Sequence, residues 1–179
     1  MIGHQNRIEG SLNSLYGMFN QLQGNQNTVD GDKNTLNGSK NTLTGNQNNI
    51  TGNKNSINGI SNIIQGSQNE IQGKVNEVQG NLNSIIGDIN SLYGSSNNIA
   101  GQSNTVAGSQ NIINGSKNIL EGNSNVVEGS TNLASGSQNS ITGLSNGVKG
   151  SNNTLKGNNN LSLGDLNKLI GDVNAVKGS

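Results

Sequence analysis

The sequence predicts an all-β fold, a two-sided parallel β-roll (β-solenoid) with 14 residues per coil and about twelve coils. Three observations carry this. Gly recurs at every seventh residue from Gly3 to Gly171, with Gly178 opening a truncated repeat. Asn stands three residues after each of them, from Asn6 to Asn174. Two places further on comes an aliphatic residue in all but two repeats, where Ala134 and Ser162 stand instead.

A seven-residue apolar period also suits a coiled coil, but that needs two apolar positions per heptad and strong helix formers. One Gly per heptad would cost a helix about 1 kcal/mol each, with Asn adding more. Between Asn and the next Gly, each heptad instead reads as a short strand with one inward side chain and two outward ones. A strand of that length cannot pair alone, so two heptads form one flattened coil and coils stack about 4.8 Å apart. The resulting rod is on the order of 60 Å long.

Each slot has a physical role in such a coil. The inward rows are Val29, Leu43, Ile57, Ile71, Ile85, Ile99 and Ile113 on one wall, and Leu22, Leu36, Ile50, Ile64, Val78 and Leu92 on the other. The Asn amide can bond both to turn backbone and to the Asn one coil away, forming a ladder that satisfies groups otherwise buried without partners. Gly at the corner permits positive φ and close approach of the walls. The repeat spans residues 3–179 as a single solenoid, with residues 1–2 as an N-terminal extension.

Composition agrees with a repeat fold. At 28% hydrophobic and 2% aromatic residues, the chain cannot build a rounded core. Zero net charge, the absence of Pro and the strict aliphatic register argue against disorder. Ten basic and ten acidic residues are scattered, leaving no electrostatic footprint for nucleic acid or anionic membrane. No apolar stretch reads as a signal peptide or membrane span, which leaves cytoplasmic placement and leaderless secretion as an extracellular fibre both open.

The residues also argue against an enzyme. Without Cys there is no disulfide or thiolate metal site. His4 stands alone near the start of the chain, so no Ser-His-acid arrangement can form. Glu70 and Glu77, or Glu121 and Glu128, fall on opposite walls, too far apart for paired acid–base work. Asp30, Asp32, Asp165 and Asp172 read as solvated residues outside any calcium-binding nonapeptide. No catalytic, metal or cofactor-binding residue is expected. Sequons at Asn37, Asn49, Asn114, Asn152 and Asn160 follow from composition and matter only in a secreted chain.

The stretch from Gly24 to Gly59, GNQNTVDGDKNTLNGSKNTLTGNQNNITGNKNSING, resembles the x-x-N-x-V-x-G repeat of the grass-type antifreeze, or ice-recrystallisation-inhibition, proteins. The likeness covers the whole chain in its Gly and Asn slots. Trimeric adhesin heads and other bacterial β-rolls use related Gly-spaced repeats. The resemblance implies a left-handed roll of two heptads per coil whose flat outer face binds ice. Under that implication the ice-facing residues are Thr28, Thr42, Thr44, Ser56, Ser140, Thr142 and Thr154. Only Thr42/Thr44 and Ser140/Thr142 present two small hydroxyl side chains on one strand.

Departures from the repeat point elsewhere. Almost nothing lies outside the heptads, so uncapped terminal strands suggest head-to-tail self-association. A longer period is laid over the first: GSLNSLYG at Gly10, GDINSLYG at Gly87 and GDLNKLIG at Gly164 are spaced by 77 residues, or eleven heptads. Around them apolar residues fill slots that are elsewhere polar. The first group is Leu12, Tyr16, Met18 and Phe19; the second is Val75, Leu82, Ile86, Ile89 and Tyr93; the third is Leu161, Leu163, Leu166, Ile170 and Val173. They read either as contact surfaces or as the trace of a duplicated 77-residue block. The leading expectation is a non-enzymatic structural protein assembling end to end, and laterally through these outcrops, into a filament or scaffold. Ice binding is the alternative.

Overall fold

A computed structural model describes residues 3–178; the proposed extension at residues 1–2, and Ser179, lie outside the described residues. The described chain is all-β, a parallel β-solenoid in which two short strands, of three residues or in four cases five, make each 14-residue coil. It divides after Asn90 into two compact units.

The N-terminal unit contains β1 (Arg7–Glu9), β2 (Ser14–Tyr16), β3 (Gln21–Gln23), β4 (Thr28–Asp30), β5 (Thr35–Asn37) and β6 (Thr42–Thr44). It continues with β7 (Asn49–Thr51), β8 (Ser56–Ile60), β9 (Ile63–Gln65), β10 (Glu70–Lys74), β11 (Glu77–Gln79) and β12 (Ser84–Ile86). Even-numbered strands pair in parallel as one sheet and odd-numbered strands as the other. Register is always 14 residues, as in Val29 beside Leu43 and Leu36 beside Ile50.

The C-terminal unit repeats the plan. Its odd sheet holds β13 (Ser91–Tyr93), β15 (Thr105–Ala107), β17 (Ile119–Glu121), β19 (Leu133–Ser135), β21 (Gly147–Lys149), β23 (Leu161–Leu163) and β25 (Ala175–Lys177). Its even sheet holds β14 (Asn98–Ala100), β16 (Ile112–Asn114), β18 (Val126–Ser130), β20 (Ser140–Leu144), β22 (Thr154–Lys156) and β24 (Lys168–Ile170).

The second residue of each strand from Leu15 to Leu169 is buried, including Ala134 and Ser162, so the core is a thin layer between the sheets. A strand with one buried and two exposed side chains is what alternation over three residues produces. Every slot Asn from Asn20 to Asn160 is buried as well. Asn62 shows why this is tolerated: its Nδ2 donates to Gly73 O at 2.9 Å and to Asn48 Oδ1 at 3.0 Å. Its own Oδ1 accepts from the backbone N–H and Nδ2 of Asn76 at 2.9 and 3.1 Å. Buried polar groups cost little when they are all partnered, and the repeat partners them coil by coil.

The corners are also bonded from coil to coil. Gly45 N donates to Asp30 O at 2.8 Å, and Gln47 N to Asp32 O at 3.0 Å. This stacking leaves no room for a side chain at the corner Gly: a Cβ on Gly73, at φ +145°, would stand 1.9 Å from Gly87 O. The second residue after each Gly is left-handed although it is not Gly, from Gln5 at φ 57° to Val173 at φ 57°.

Candidate contact surfaces

With Gly, Asn and the aliphatic residue committed to the frame, each heptad keeps four side chains for other work. They are the first and third strand residues and the two corner residues between Gly and Asn. The first corner residue is itself partly committed: as Ser, Asn or Asp it accepts the backbone N–H of its counterpart one coil earlier. Asp32 Oδ1 takes Met18 N at 2.7 Å, and Asp88 Oδ1 takes Lys74 N at 2.7 Å.

Lys74 and Leu144 occupy this corner slot without an oxygen to offer, and there the strand pair runs on through the corner. β8 and β10 pair as far as Gly59–Gly73 and Ile60–Lys74, and β18 and β20 as far as Gly129–Gly143 and Ser130–Leu144. The heptad pattern does not reveal these extensions.

The hydroxyl residues form a local file. In the even sheet of the N-terminal unit, Ser14, Thr28, Thr42 and Ser56 occupy the first positions of β2, β4, β6 and β8 and stand in register. Thr44 lies in the third position between Asp30 and Asn58, and Glu70 ends the file on β10. Ser14, absent from the sequence-based set, joins it because residues 14 apart become neighbours. Across the odd sheet Thr35 faces Asn49, and Asn37 faces Thr51. In the C-terminal unit Ser140 pairs with Thr154, while Thr142 pairs with Lys156.

The apolar outcrops are separated by corner. Corners leading into odd strands carry Met18 and Phe19, then Val75 and Ile89, while corners leading into even strands carry Leu12 and Leu82. Tyr16 borders the same corner row as Met18, and Ile86 the same row as Ile89. Val75 N donates to Ile60 O at 3.0 Å and Ile89 N to Lys74 O at 2.9 Å, so Ile60 joins this row and Ile63 begins the strand beside it. Ile60, Ile63, Val75, Ile86 and Ile89 are all exposed. The 77-residue spacing picked out three of these five. Ile60 and Ile63 emerge only from stacking.

In the C-terminal unit Tyr93 lies on β13, Leu161 and Leu163 on β23, Leu166 and Val173 at corners of opposite sides, and Ile170 on β24. Leu161 has neighbours that sequence reading missed. Ile119 and Leu133 stand in register on β17 and β19, and Gly147 separates Leu133 from Leu161. On the even sheet Ile112 and Val126 pair side by side. Leu166 is the most exposed of the group, at 80%.

Among the described residues no group of three or more His, Cys, Asp or Glu is placed to hold a metal ion. A shallow concavity of about 340 Å³ lies over β1, β3 and β5, lined by Arg7, Glu9, Gln21, Gln23, Thr35 and Asn37. Of the five sequons, Asn160 is buried in the ladder with its Nδ2 on Gly171 O at 2.8 Å; Asn37, Asn49, Asn114 and Asn152 are exposed. Among the described residues no helix is long and apolar enough to cross a membrane.

The sequence model of one protein family, described as grass antifreeze beta roll, matches residues 1–80 and again residues 71–157. The chain belongs to the grass antifreeze β-roll family. The two matches together run over most of the repeat, and the two parallel sheets with buried Asn stacks are the β-roll that the family description names. No curated protein matches the chain. Among solved structures, this antifreeze-type roll is compared with an Arabidopsis UDP-N-acetylglucosamine acyltransferase at 13% identity and a TM-score of 0.28, over 92% of this chain and 64% of that one. The polySia-specific acetyltransferase NeuO gives 14% identity and a TM-score of 0.18, over 98% of this chain and 82% of that one. The chain therefore spans less than two thirds of the first of these proteins, and neither score supports a shared architecture.

Proposed function

We propose that this chain is a non-enzymatic structural β-solenoid that works by self-association, its exposed apolar residues packing against further copies to build a scaffold or filament. The observation that supports this is the pair Val75 and Ile89. Both are β-branched, both are more than half exposed at 56% and 59%, and both hold left-handed corners at φ 57° and 61°. That backbone costs a side-chain-bearing residue about 1–2 kcal/mol, with β-branched residues among the worst suited. The frame imposes that backbone at every such corner, but an isolated molecule gains nothing from a β-branched side chain there, whereas a contact surface recovers the cost through burial. Sedimentation velocity and negative-stain microscopy over a concentration series test the reading. Wild-type protein is expected to form larger species with rising concentration, and the combined variant Val75→Asn, Ile86→Ser, Ile89→Asn to lose them. Monodisperse monomers at the highest attainable concentration overturn it.

A second reading, ice binding, is supported by the Ser14–Thr28–Thr42–Ser56 file in a member of the antifreeze β-roll family. Hydroxyls repeated at the strand spacing of about 4.8 Å offer a regular row of small polar groups. Inhibition of ice recrystallisation by the wild type, weakened by Thr28→Lys with Thr42→Lys, is the expected result. A wild type that leaves ice crystals unaltered rules this reading out.

A further inference from the structure

The odd sheet of the C-terminal unit carries an outward pattern that is its own complement when reversed. From β15 to β23 the first strand positions read Thr105, Ile119, Leu133, Gly147, Leu161, and the third positions read Ala107, Glu121, Ser135, Lys149, Leu163. Counted outward from β19, the residue without a side chain faces the bulky Ile119, the cation faces the anion, and the small pair Thr105 and Ala107 faces Leu161 and Leu163.

We propose that two copies of this chain pack this sheet face to face about a two-fold axis running along β19. This rests on the self-association proposed above and names one surface that performs it. Such an axis keeps first positions opposite first positions while reversing the order of coils, as an isologous interface requires. Ile119 then meets Gly147 of the second copy, which adds no side chain of its own, and Glu121 meets its Lys149. Leu133 and Ser135 meet themselves on the axis without a charge. Leu161 leans over Gly147, its Cδ1 3.1 Å from where a Cβ on that residue would stand, so Leu133, Gly147 and Leu161 form one apolar strip for Ile119 to lie on.

Electrostatics selects this register over its neighbours. An axis along β17 places Glu121 against Glu121, and one along β21 places Lys149 against Lys149. Like charges brought together at a contact are costly, whereas opposite charges set its register. Packed sheets stand about 10 Å apart, within reach of a Glu–Lys pair. Five three-residue strands offer roughly 250 Å² of face per copy. That is well under the ~800 Å² per partner of a standard tight interface, so the expected dissociation constant is on the order of 100 μM or weaker.

Charge exchange tests it by sedimentation equilibrium on the full chain, with far-UV circular dichroism confirming the fold of each variant. Glu121→Lys and Lys149→Glu, both at exposed positions outside the ladder, are each expected to weaken dimerisation roughly tenfold or more, because each breaks two symmetric pairs. The double variant restores both pairs and is expected to return within roughly threefold of wild type. Wild-type association that neither single change alters, or that the double change does not rescue, overturns this surface while leaving self-association standing. A wild type that stays monomeric throughout overturns both.

Discussion

The Ser162 hydroxyl donates to Asn153 Oδ1 at 3.2 Å, deep in a core where the neighbouring strands place Val148 and Val176. This one bond lies beside a break in the ladder. Asn153 Oδ1 still accepts the backbone N–H of Asn167 at 2.9 Å, but Asn167 Nδ2 is buried without a partner. In other coils the same oxygen takes both groups, as Asn62 does from Asn76, or the backbone N–H alone, as Asn20 does from Asn34, whose Nδ2 donates to Gly45 O instead.

Ser162→Val should therefore stabilise the protein. It removes the competing donor, fills the space between Val148 and Val176, and frees Asn153 Oδ1 for the stranded amide. A gain of about 1–2 kcal/mol is expected from apolar filling and the recovered hydrogen bond. Thermal unfolding followed by circular dichroism should show a raised Tm. An unchanged or lowered Tm rejects the competition between hydroxyl and amide.

Asn62→Ala should be severe, because it leaves Gly73 O and both donors of Asn76 buried without their partners. At about 1–3 kcal/mol per unsatisfied group, a loss of roughly 3 kcal/mol or more follows. Asn98→Ala is the control: that side chain is exposed on β14, and its loss is expected to stay within about 0.5 kcal/mol. Urea midpoints for the two variants decide it, and equal shifts refute the role given to the ladder.

Two glycines should behave oppositely. Gly73→Ala sets a Cβ 1.9 Å from Gly87 O at a left-handed φ and is expected to unzip the stack locally. Gly147→Ala meets only the flexible Leu161 Cδ1 at 3.1 Å and is expected to change stability by less than about 1 kcal/mol. Amide exchange around each site reads the difference. Strong protection in the Gly73 variant contradicts the packing described.

Val75→Asn should raise stability by about 1 kcal/mol, since Asn tolerates the left-handed corner far better than a β-branched residue. Its Tm should rise even as association weakens, which separates loss of contact from loss of fold. A fall in Tm means that Val75 stabilises the monomer itself.

Much of the frame was legible in the chain. Gly at the corner, Asn beneath it and the aliphatic row were assigned roles that the buried positions and ladder bonds bear out. The left-handed second corner residue was not legible, because Gln, Lys, Ser, Leu and Val all occupy it and no composition marks it. Nor were the through-running corners at Ile60 and Leu144, since they exist only in the pairing of one coil with the next. The apolar file of Ile119, Leu133 and Leu161 was hidden for a related reason: its members recur at 14 or 28 residues, and only pairing makes them adjacent.

The sequence by itself determined the coil. A period of seven with Gly, Asn and an aliphatic residue admits a stack of short parallel strands and excludes a helix, because local backbone preference and one-sided burial both demand it. Tertiary structure alone decided which outward residues became neighbours, and which buried donor lost its acceptor. Those outcomes turn on distances of a few ångströms between coils, where the Ser162 hydroxyl reaches Asn153 Oδ1 beside an unpartnered Asn167 amide and Leu161 reaches over Gly147.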